Sequence, residues 1–337
     1  MTPPTWSFDH LLRLSDDTGV FEHAQGAIAR REYGYCVDDV ARALIVITRE
    51  PQPRPEVSAL GERCLAFLAH AQDGGGRFHN RLAFDRRWQD SPATGDWWGR
   101  ALWALGTAAT HSPQSSVRDA ARACFDLGAT LRSPFSRSMA FAVLGAAEVA
   151  AHDHDQPARD LILAAVATIG RPQRDRPWPW PEPRLTYANA ALPDALIAAG
   201  VVLGDDGLID DGLFLLDWLI KTECRHGHLS PTAVGGWGPG EERATFDQQP
   251  IEAASLADAC ARAFTCTGDP HWLSGVELAV GWFSGDNDAG LPLLDQATGG
   301  GCDGLTAGGL NINQGAESTL ALVATMQHAR LCLAPAQ

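Results

Sequence analysis

The chain has 337 residues, of which 45 % are apolar and 20 % are charged, a composition typical of a soluble globular protein. Its formal net charge of −15 argues against nucleic acid or an anionic membrane as the main partner, because both bind basic surfaces. No apolar run is long enough to span a membrane, and the start, MTPPTWSFDHLLRLSDD, lacks a basic segment followed by an apolar core. We therefore expect a cytoplasmic protein.

The cysteines and histidines do not form a metal-binding pattern. The 8 cysteines are scattered without a CxxC spacing, and several lie within apparent helices, which favours buried free thiols over disulfides. His152 and His154, like His226 and His228, are pairs separated by one residue, without cysteines at the spacing of a zinc site. We expect neither a metal nor another cofactor.

Helical periodicity dominates the chain from end to end, and almost no segment alternates as a strand does. One set of segments is rich in small residues and nearly apolar all round, as expected of helices packed on every side. These segments begin near residues 38, 96, 137, 187, 250 and 315. More amphipathic segments lie between them, and either TWSFDHLLRLS or the end of the chain would supply a sixth.

The connections alternate in length in step with the helices. The loop after each helix of the small-residue set is usually short, whereas the loop before it is usually long and rich in Gly, Pro and Trp. Such long loops are typical of segments that build a site. The long loops are residues 72–95, 171–185, 224–249 and 284–314. This pattern predicts an all-α fold in one domain, residues 1–337, with six helix pairs closed into an (α/α)6 toroid. A helical solenoid is the alternative, but it leaves the uneven loops unexplained.

The first two inner helices share a motif, Asp38-x-x-x-Arg42-Ala-Leu and Asp96-x-x-x-Arg100-Ala-Leu. At a spacing of four, aspartate and arginine lie on one helical face, which predicts that Asp38 caps its helix and pairs with Arg42. For Asp96 the same structural role is the alternative to a role in the site. Asp39 points about 100° away from Asp38 and is then free to face the lumen.

A second motif, Gln249-x-x-Glu252 and Gln314-x-x-Glu317, begins the last two inner helices. Glutamine is a poor N-cap, so the repeat favours a polar lining at the mouth of the toroid. A glutamate at the third position of a capping box is the structural alternative. Further polar residues lie near the two motifs: Asp247, Gln248, Asn311 and Asn313.

Carboxylates and loop tryptophans together predict carbohydrate chemistry. Opposed carboxylates supply the general acid and base of glycosidic cleavage, and indole faces stack on sugar rings, although tryptophans also fill cores. The predicted catalytic residues are Asp39, Asp96 and Glu252. The predicted substrate-binding residues are Asp38, Trp97, Trp98, Arg100, Trp180, Tyr187, Trp237, Asp247, Gln248, Gln249, Asp303, Asn313, Gln314 and Glu317.

The segment DDTGVFEHAQGAIARREYGYCVDDVARAL, residues 16–44, and the motifs GCDGL and NQGAEST resemble a bacterial group of toroids in the six-hairpin (α/α)6 glycosidase superfamily. Members of that group occur beside glycosyltransferases and with mannoside-processing enzymes. The resemblance implies an oligosaccharide substrate, with mannosides among the candidates, and a functional association with a glycosyltransferase. For the cleavage that the carboxylates predict, the resemblance implies inversion at the anomeric carbon. We therefore predict an inverting glycoside hydrolase that needs no metal.

Three alternatives stay open at this point. Phosphate could replace water, as in a phosphorylase, and the basic residues Arg81, Arg86, Arg87 and Arg184 near the mouth would serve it. The superfamily also contains sugar isomerases, but their inner-helix histidines are scarce here. The third alternative is a non-catalytic toroid that binds glycans for a glycosyltransferase.

Overall fold

A computed structural model describes residues 4–153 and 155–333 of the protein. In this part of the chain, α-helices dominate, and none is long and apolar enough to cross a membrane. In chain order they are α1 (Asp9–Arg13), α2 (Val37–Thr48), α3 (Pro55–Ala71), α4 (Asp96–His111), α5 (Ser115–Gly128), α6 (Ser136–Asp153), α7 (Gln156–Ile169), α8 (Ala191–Leu203), α9 (Asp206–Glu223), α10 (Pro250–Thr267), α11 (His271–Ser284) and α12 (Ala316–Cys332).

The even-numbered helices form a closed inner ring. Each packs against the next in chain order, and α12 packs against α2. Each odd-numbered helix from α3 to α11 lies outside, against the inner helix before it, while the short α1 packs on α12. The predicted (α/α)6 toroid is confirmed, and a solenoid is excluded because its first and last helices would not meet.

Helices α4 and α6 pack backbone against backbone through glycines. A Cβ at Gly99 would lie 2.1 Å from the carbonyl oxygen of Ser138, and a Cβ at Gly145 equally close to that of Leu102. Any larger residue would therefore push the two helices apart. Their close approach brings the two helix starts together, so that Ser138 Oγ donates a hydrogen bond to Asp96 (2.6 Å).

The long loops form a rim of short antiparallel strand pairs at one end of the ring. These pairs are β1 (Ala24–Gln25) with β2 (Ile28–Ala29), β3 (Tyr35–Cys36) with β4 (Arg81–Leu82), β5 (Cys224–Arg225) with β6 (His228–Leu229), β7 (Leu294–Asp295) with β8 (Gly300–Gly301), and β9 (Gly304–Thr306) with β10 (Gly309–Asn311). Backbone pairs Leu185–Trp237 and Gln248–Leu305 join further loops to one another. The rim is thus hydrogen-bonded from loop to loop, which holds its side chains in place before any ligand arrives.

Helix boundaries differ from the predicted ones at one inner helix. Helix α8 begins at Ala191 rather than at residue 187, because Ala188 adopts a positive φ of 44° and interrupts the helical backbone. The sixth outer element is the N-terminal α1, only five residues long. The 8 cysteines are free.

Candidate active site

A cavity of about 540 Å³ opens at the rim, above the N-termini of the inner helices. Its size is that of a typical small-molecule site. Of the predicted site residues, the cavity brings together Asp38, Asp39, Asp96, Trp97, Arg100, Tyr187, Gln249, Asp303 and Glu317. Among the carboxyl groups predicted as catalytic, Asp39 and Asp96 therefore share this cavity.

The ion pairs within this cavity differ from the predicted ones. Arg42 binds Asp39 (2.7 Å) and, across the ring, Glu317 (2.7 Å), whereas Arg100 of α4 lies 3.1 Å from Asp38 of α2. The predicted pairing of Asp38 with Arg42 is wrong because an arginine on the neighbouring helix reaches Asp38 instead. Capping by Asp38 is also wrong, since the N-cap of α2 is Cys36 and no side chain caps that helix.

The structural alternative for Asp96, a cap that pairs with Arg100, does not describe the structure either. The N-cap of α4 is Gly95, which has no side chain, and Asp96 accepts its hydrogen bond from Ser138 of α6 rather than from Arg100. Arg100 lies with its guanidinium 3.8 Å from the centre of the Phe141 ring, a cation–π contact. Arg42 and Arg100 thus each bind a carboxyl group of a neighbouring helix, and Asp96 binds Ser138 of α6, which fixes the spacing of the helix starts around the cavity.

Asp39 is a buried carboxyl group on the cavity wall with a raised pKa. Asp39 is only 3 % exposed, and this burial raises its pKa to about 8, although the positive charge of Arg42 lowers it. Glu317, Glu22 and Asp38 add negative charge nearby and raise the pKa further. Asp39 is therefore mostly protonated at neutral pH and holds a proton that it can donate.

Burial also affects Arg100, the partner of Asp38. It lowers the pKa of Arg100 to about 10, with a further lowering by Arg42. Arg100 nevertheless stays cationic at neutral pH. The Nη2 atom of Arg100 is buried without a hydrogen-bond partner, so the guanidinium retains donor capacity at the cavity wall.

One cluster in the described part of the chain brings potential metal ligands together. Atoms of Glu22, Cys36 and Asp39 lie within 4.8 Å of one another. Arg81 binds Glu22 and Arg42 binds Asp39, so guanidinium groups already occupy the position of a cation beside both carboxyl groups. Burial and the neighbouring carboxylates raise the pKa of the Cys36 thiol well above its usual value, which disfavours the thiolate that a metal needs. The arrangement suits an ion-pair network better than a metal, and metal independence stays a prediction.

Glu252 does not line the cavity. It is 4 % exposed, and its carboxyl oxygens accept hydrogen bonds from the backbone N–H groups of Ala188 (2.6 Å) and Asn189 (3.3 Å). Burial and the nearby Glu223 raise the pKa of Glu252 to about 8. The capping-box alternative does not describe this contact either, because Glu252 binds the loop before α8 rather than its own helix.

The contacts of Glu252 hold a turn that carries Tyr187 to the cavity. Arg137 fixes the same turn from α6, donating to the carbonyl oxygen of Tyr187 and to Asn189 Oδ1 (2.9 Å). Asn189 Oδ1 also accepts the N–H of Thr186 (2.9 Å). The positive φ at Ala188 is thus stabilised by a buried carboxyl and a buried guanidinium from two other helices.

Three of the predicted tryptophans lie away from the cavity. Trp98 is fully buried, and Trp180 is buried against Trp218, with ring centroids 5.8 Å apart. Trp237 packs against Trp178 at a centroid distance of 5.3 Å. Core packing, the alternative for the tryptophans, describes Trp98 and Trp180. Trp237 belongs to the packed rim of the loops.

Four predicted polar residues do not line the cavity, and three of them, Gln248, Asn313 and Gln314, form hydrogen bonds within the loops instead. Gln248 is buried and accepts the indole N–H of Trp282 (2.8 Å), and Asn313 Oδ1 accepts the N–H of Gly26 (3.0 Å). Gln314 is buried and donates its amide to a neighbouring loop, whereas Asp247 is exposed. Their hydrogen bonds fix the rim that surrounds the cavity.

The cavity also contains residues missing from the predicted set. They are Glu22, His23, Cys36, Arg42, Asn80, Arg81, Asn311, Gly315 and Ser318. Glu22, His23, Cys36 and Arg42 all lie in the segment 16–44 that carries the family resemblance, which was the available signal for them. Asn80 and Arg81 reach the site because β4 pairs with β3 beside the start of α2.

Comparison with known proteins rests on structure. No protein-family model matches the sequence, and no curated protein matches it. A sugar epimerase from a ruminal bacterium is 13 % identical with a TM-score of 0.72, covering 98 % of this chain and 96 % of that one. The chain is an (α/α)6 toroid.

Two further solved structures show the same fold. A cellobiose 2-epimerase from Bacillus thermoamylovorans has a TM-score of 0.71 at 10 % identity, covering 96 % of each chain. A GH76 α-mannanase from Bacteroides thetaiotaomicron has a TM-score of 0.61 at 10 % identity, covering 88 % of this chain and 86 % of that one. The predicted resemblance to the six-hairpin superfamily is confirmed in its fold.

Proposed function

We propose that this toroid is a carbohydrate-active enzyme that hydrolyses a glycosidic bond of an oligosaccharide by general acid–base catalysis. The observation that carries this function is a buried carboxyl group, Asp39, with a pKa raised to about 8, on the wall of a cavity that a second carboxyl group, Asp96, also lines. Glycosidic cleavage needs two carboxyl groups, one as the general acid and one as the general base. The structures of similar fold include sugar epimerases and glycoside hydrolases, which supports a sugar as the substrate.

In this mechanism Asp39 donates its proton to the glycosidic oxygen as the bond to the anomeric carbon breaks. Asp96 accepts a proton from a water molecule, whose oxygen attacks the anomeric carbon and inverts its configuration. Arg42, 2.7 Å from Asp39, stabilises the carboxylate that forms when the proton leaves. Glu317 binds the other side of Arg42 and keeps the guanidinium in position.

The charge of the cavity favours an uncharged sugar. Six carboxyl groups and three guanidinium groups line the cavity, so it stays negative even with Asp39 protonated. A uronate, a sugar phosphate or free phosphate would be repelled. Of the arginines that a phosphorylase would use, Arg86 and Arg184 are paired with Asp17 (2.8 Å) and Glu241 (3.0 Å), outside the cavity.

Sugar epimerisation is the second candidate. It is favoured by the likeness to a sugar epimerase and a D-mannose isomerase, and by His23, whose imidazole lines the cavity. Two inner-helix histidines, His111 and His328, instead bind Glu148 (2.8 Å) and Asp258 (2.6 Å) away from it. Epimerisation would therefore need the half-exposed His23 as its base.

A panel of manno- and gluco-oligosaccharides distinguishes these functions. Hydrolysis creates new reducing ends, whereas epimerisation changes the sugar without creating any, and phosphorolysis depends on added phosphate. We expect new reducing ends without phosphate, with the inverted anomer seen first by NMR, and their loss in Asp39→Asn and Asp96→Asn. Sugar binding without turnover, unaffected by Asp39→Asn, would instead support the non-catalytic toroid that partners a glycosyltransferase.

A further inference from the structure

A second cavity of about 500 Å³ lies beside the first one at the rim. The two cavities share Asp96 and Trp97 as lining residues. The second one extends towards the start of α6, where Phe135 and the ion pair of Arg137 with Glu182 form its wall. Nothing in the proposed hydrolysis at Asp39 and Asp96 uses this space.

Trp97 is held rigidly at the boundary between the cavities. Its indole Nε1 donates to the carbonyl oxygen of Phe78 (2.7 Å). The ring folds back over the start of α4, where a Cβ on Gly95 would lie 2.4 Å from it. Only glycine at position 95 leaves room for this orientation. The indole is thus preorganised, and a ligand would bind it without having to order it.

Phe135 gives the second cavity an exposed aromatic surface. It is 62 % exposed, on the segment between α5 and α6, and directly follows Pro134, which restricts the backbone there. Arg137 and Glu182 add polar groups to the same wall. Aromatic surface combined with a few fixed polar groups suits a sugar ring, which has apolar C–H faces and hydroxyl edges.

We propose that the second cavity binds a second sugar residue of the substrate, so that Asp96 lies at the junction of two sugar sites. Trp97 and Phe135 contact its apolar faces, and the partly exposed carboxyl group of Glu182, which Arg137 holds in place, binds its hydroxyls. The substrate is then at least a disaccharide. This inference rests on the proposed function, because it takes the occupant of the first cavity to be a sugar.

The test compares binding of mono- to pentasaccharides of mannose and glucose by isothermal titration calorimetry. Asp39→Asn protein is used so that the ligands stay intact. We expect the disaccharide to bind about tenfold more tightly than the monosaccharide, and the additional substitution Phe135→Ala to abolish this gain without changing monosaccharide binding. The control is Phe84→Ala, because Phe84 is 48 % exposed and lines neither cavity.

Each outcome distinguishes this inference from the proposed function. If sugars bind and the disaccharide gain persists in the Phe135→Ala protein, the second sugar site is wrong while the first stands. The same holds if Phe135→Ala and Phe84→Ala weaken binding equally. If no sugar in the panel binds the Asp39→Asn protein or is converted by the unchanged protein, the proposed function fails, and the second site fails with it.

Discussion

Each end of the inner ring carries an aspartate beside an arginine, and the pKa values of the two aspartates are shifted in opposite directions. At the mouth, burial outweighs Arg42 and keeps Asp39 mostly protonated. At the far end, the side chain of Asp258 of α10 is only 12 % exposed, but Arg49 (2.8 Å) and His328 (2.6 Å) together outweigh this burial and hold its pKa well below its usual range. Asp39 has one guanidinium beside it, whereas Asp258 has a guanidinium and an imidazole, and these partners decide which carboxyl group can donate a proton and which one cross-links helices.

The largest effect is expected from Asp39→Asn. It removes the proposed proton donor and should lower kcat by about 10³-fold, within the usual range for a general acid. Folding should be retained, because the amide can still accept a hydrogen bond from Arg42. The measurement is kcat on a cleaved oligosaccharide, with Asp258→Asn as the matched control at the far end. Turnover within tenfold of the original in Asp39→Asn would assign the acid role elsewhere.

Asp258→Asn should instead lower the stability of the fold and leave kcat nearly unchanged. Removing one member of a buried ion pair leaves Arg49 and His328 without their anion, which should cost about 3 kcal/mol of unfolding free energy. Urea denaturation at neutral pH measures this loss, while kcat should stay within a few-fold.

The pH dependence of stability separates the two carboxyl groups further. Because folding lowers the pKa of Asp258, its contribution is present above its unfolded pKa, about 4, and is lost as the pH falls below it. Folding raises the pKa of Asp39, so its contribution is present at low pH and is lost as the pH rises towards about 8. Asp258→Asn should flatten the acid limb of the stability curve and leave the alkaline side unchanged. An unchanged acid limb would contradict the role given to Asp258.

A shift of the pH–activity profile is the next smaller effect. Activity should fall above about pH 8 as Asp39 loses its proton. Glu317→Gln removes a negative charge near Asp39, and it leaves Asp39 as the ion-pair partner that Arg42 retains. Both changes lower the pKa of Asp39. The alkaline limb of kcat/KM should therefore move to lower pH by about one unit. Glu148→Gln, at the far end of the ring, is the control and should leave the alkaline limb in place. A shift of that limb to higher pH in Glu317→Gln would contradict the ion-pair network of Glu317, Arg42 and Asp39.

The sequence predicts the ring better than it predicts the contacts within it. Small residues on all sides of a helix are a local signal, and the starts of α2, α4, α6, α10 and α12 lie within one residue of the predicted positions. The start of α8 does not, because the turn at Ala188 depends on Glu252 and Arg137, both distant in the sequence. Local rules cannot anticipate such partners.

The same limit explains the errors at the site. A spacing of four predicts that Asp38 binds Arg42, but once the ring closes Arg100 of the next helix is the partner. Adjacent residues on a helix point about 100° apart, so one tryptophan of the pair at the start of α4 faces the core and the other the cavity. The sequence does not say which, and the structure places Trp98 in the core and Trp97 at the cavity.

The smallest effect tests whether Glu252 is catalytic or holds the Tyr187 turn. Glu252→Gln retains an oxygen that accepts the N–H of Ala188, so kcat should change less than about tenfold, whereas loss of a catalytic carboxyl would cost about 10²–10⁴-fold. Glu252→Ala leaves two buried N–H groups without acceptors and frees the turn, so KM should rise about tenfold. Neither variant should move the pH–activity profile if Asp39 supplies the proton. A loss of kcat in Glu252→Gln comparable to that in Asp39→Asn would show that the buried carboxyl takes part in the chemistry.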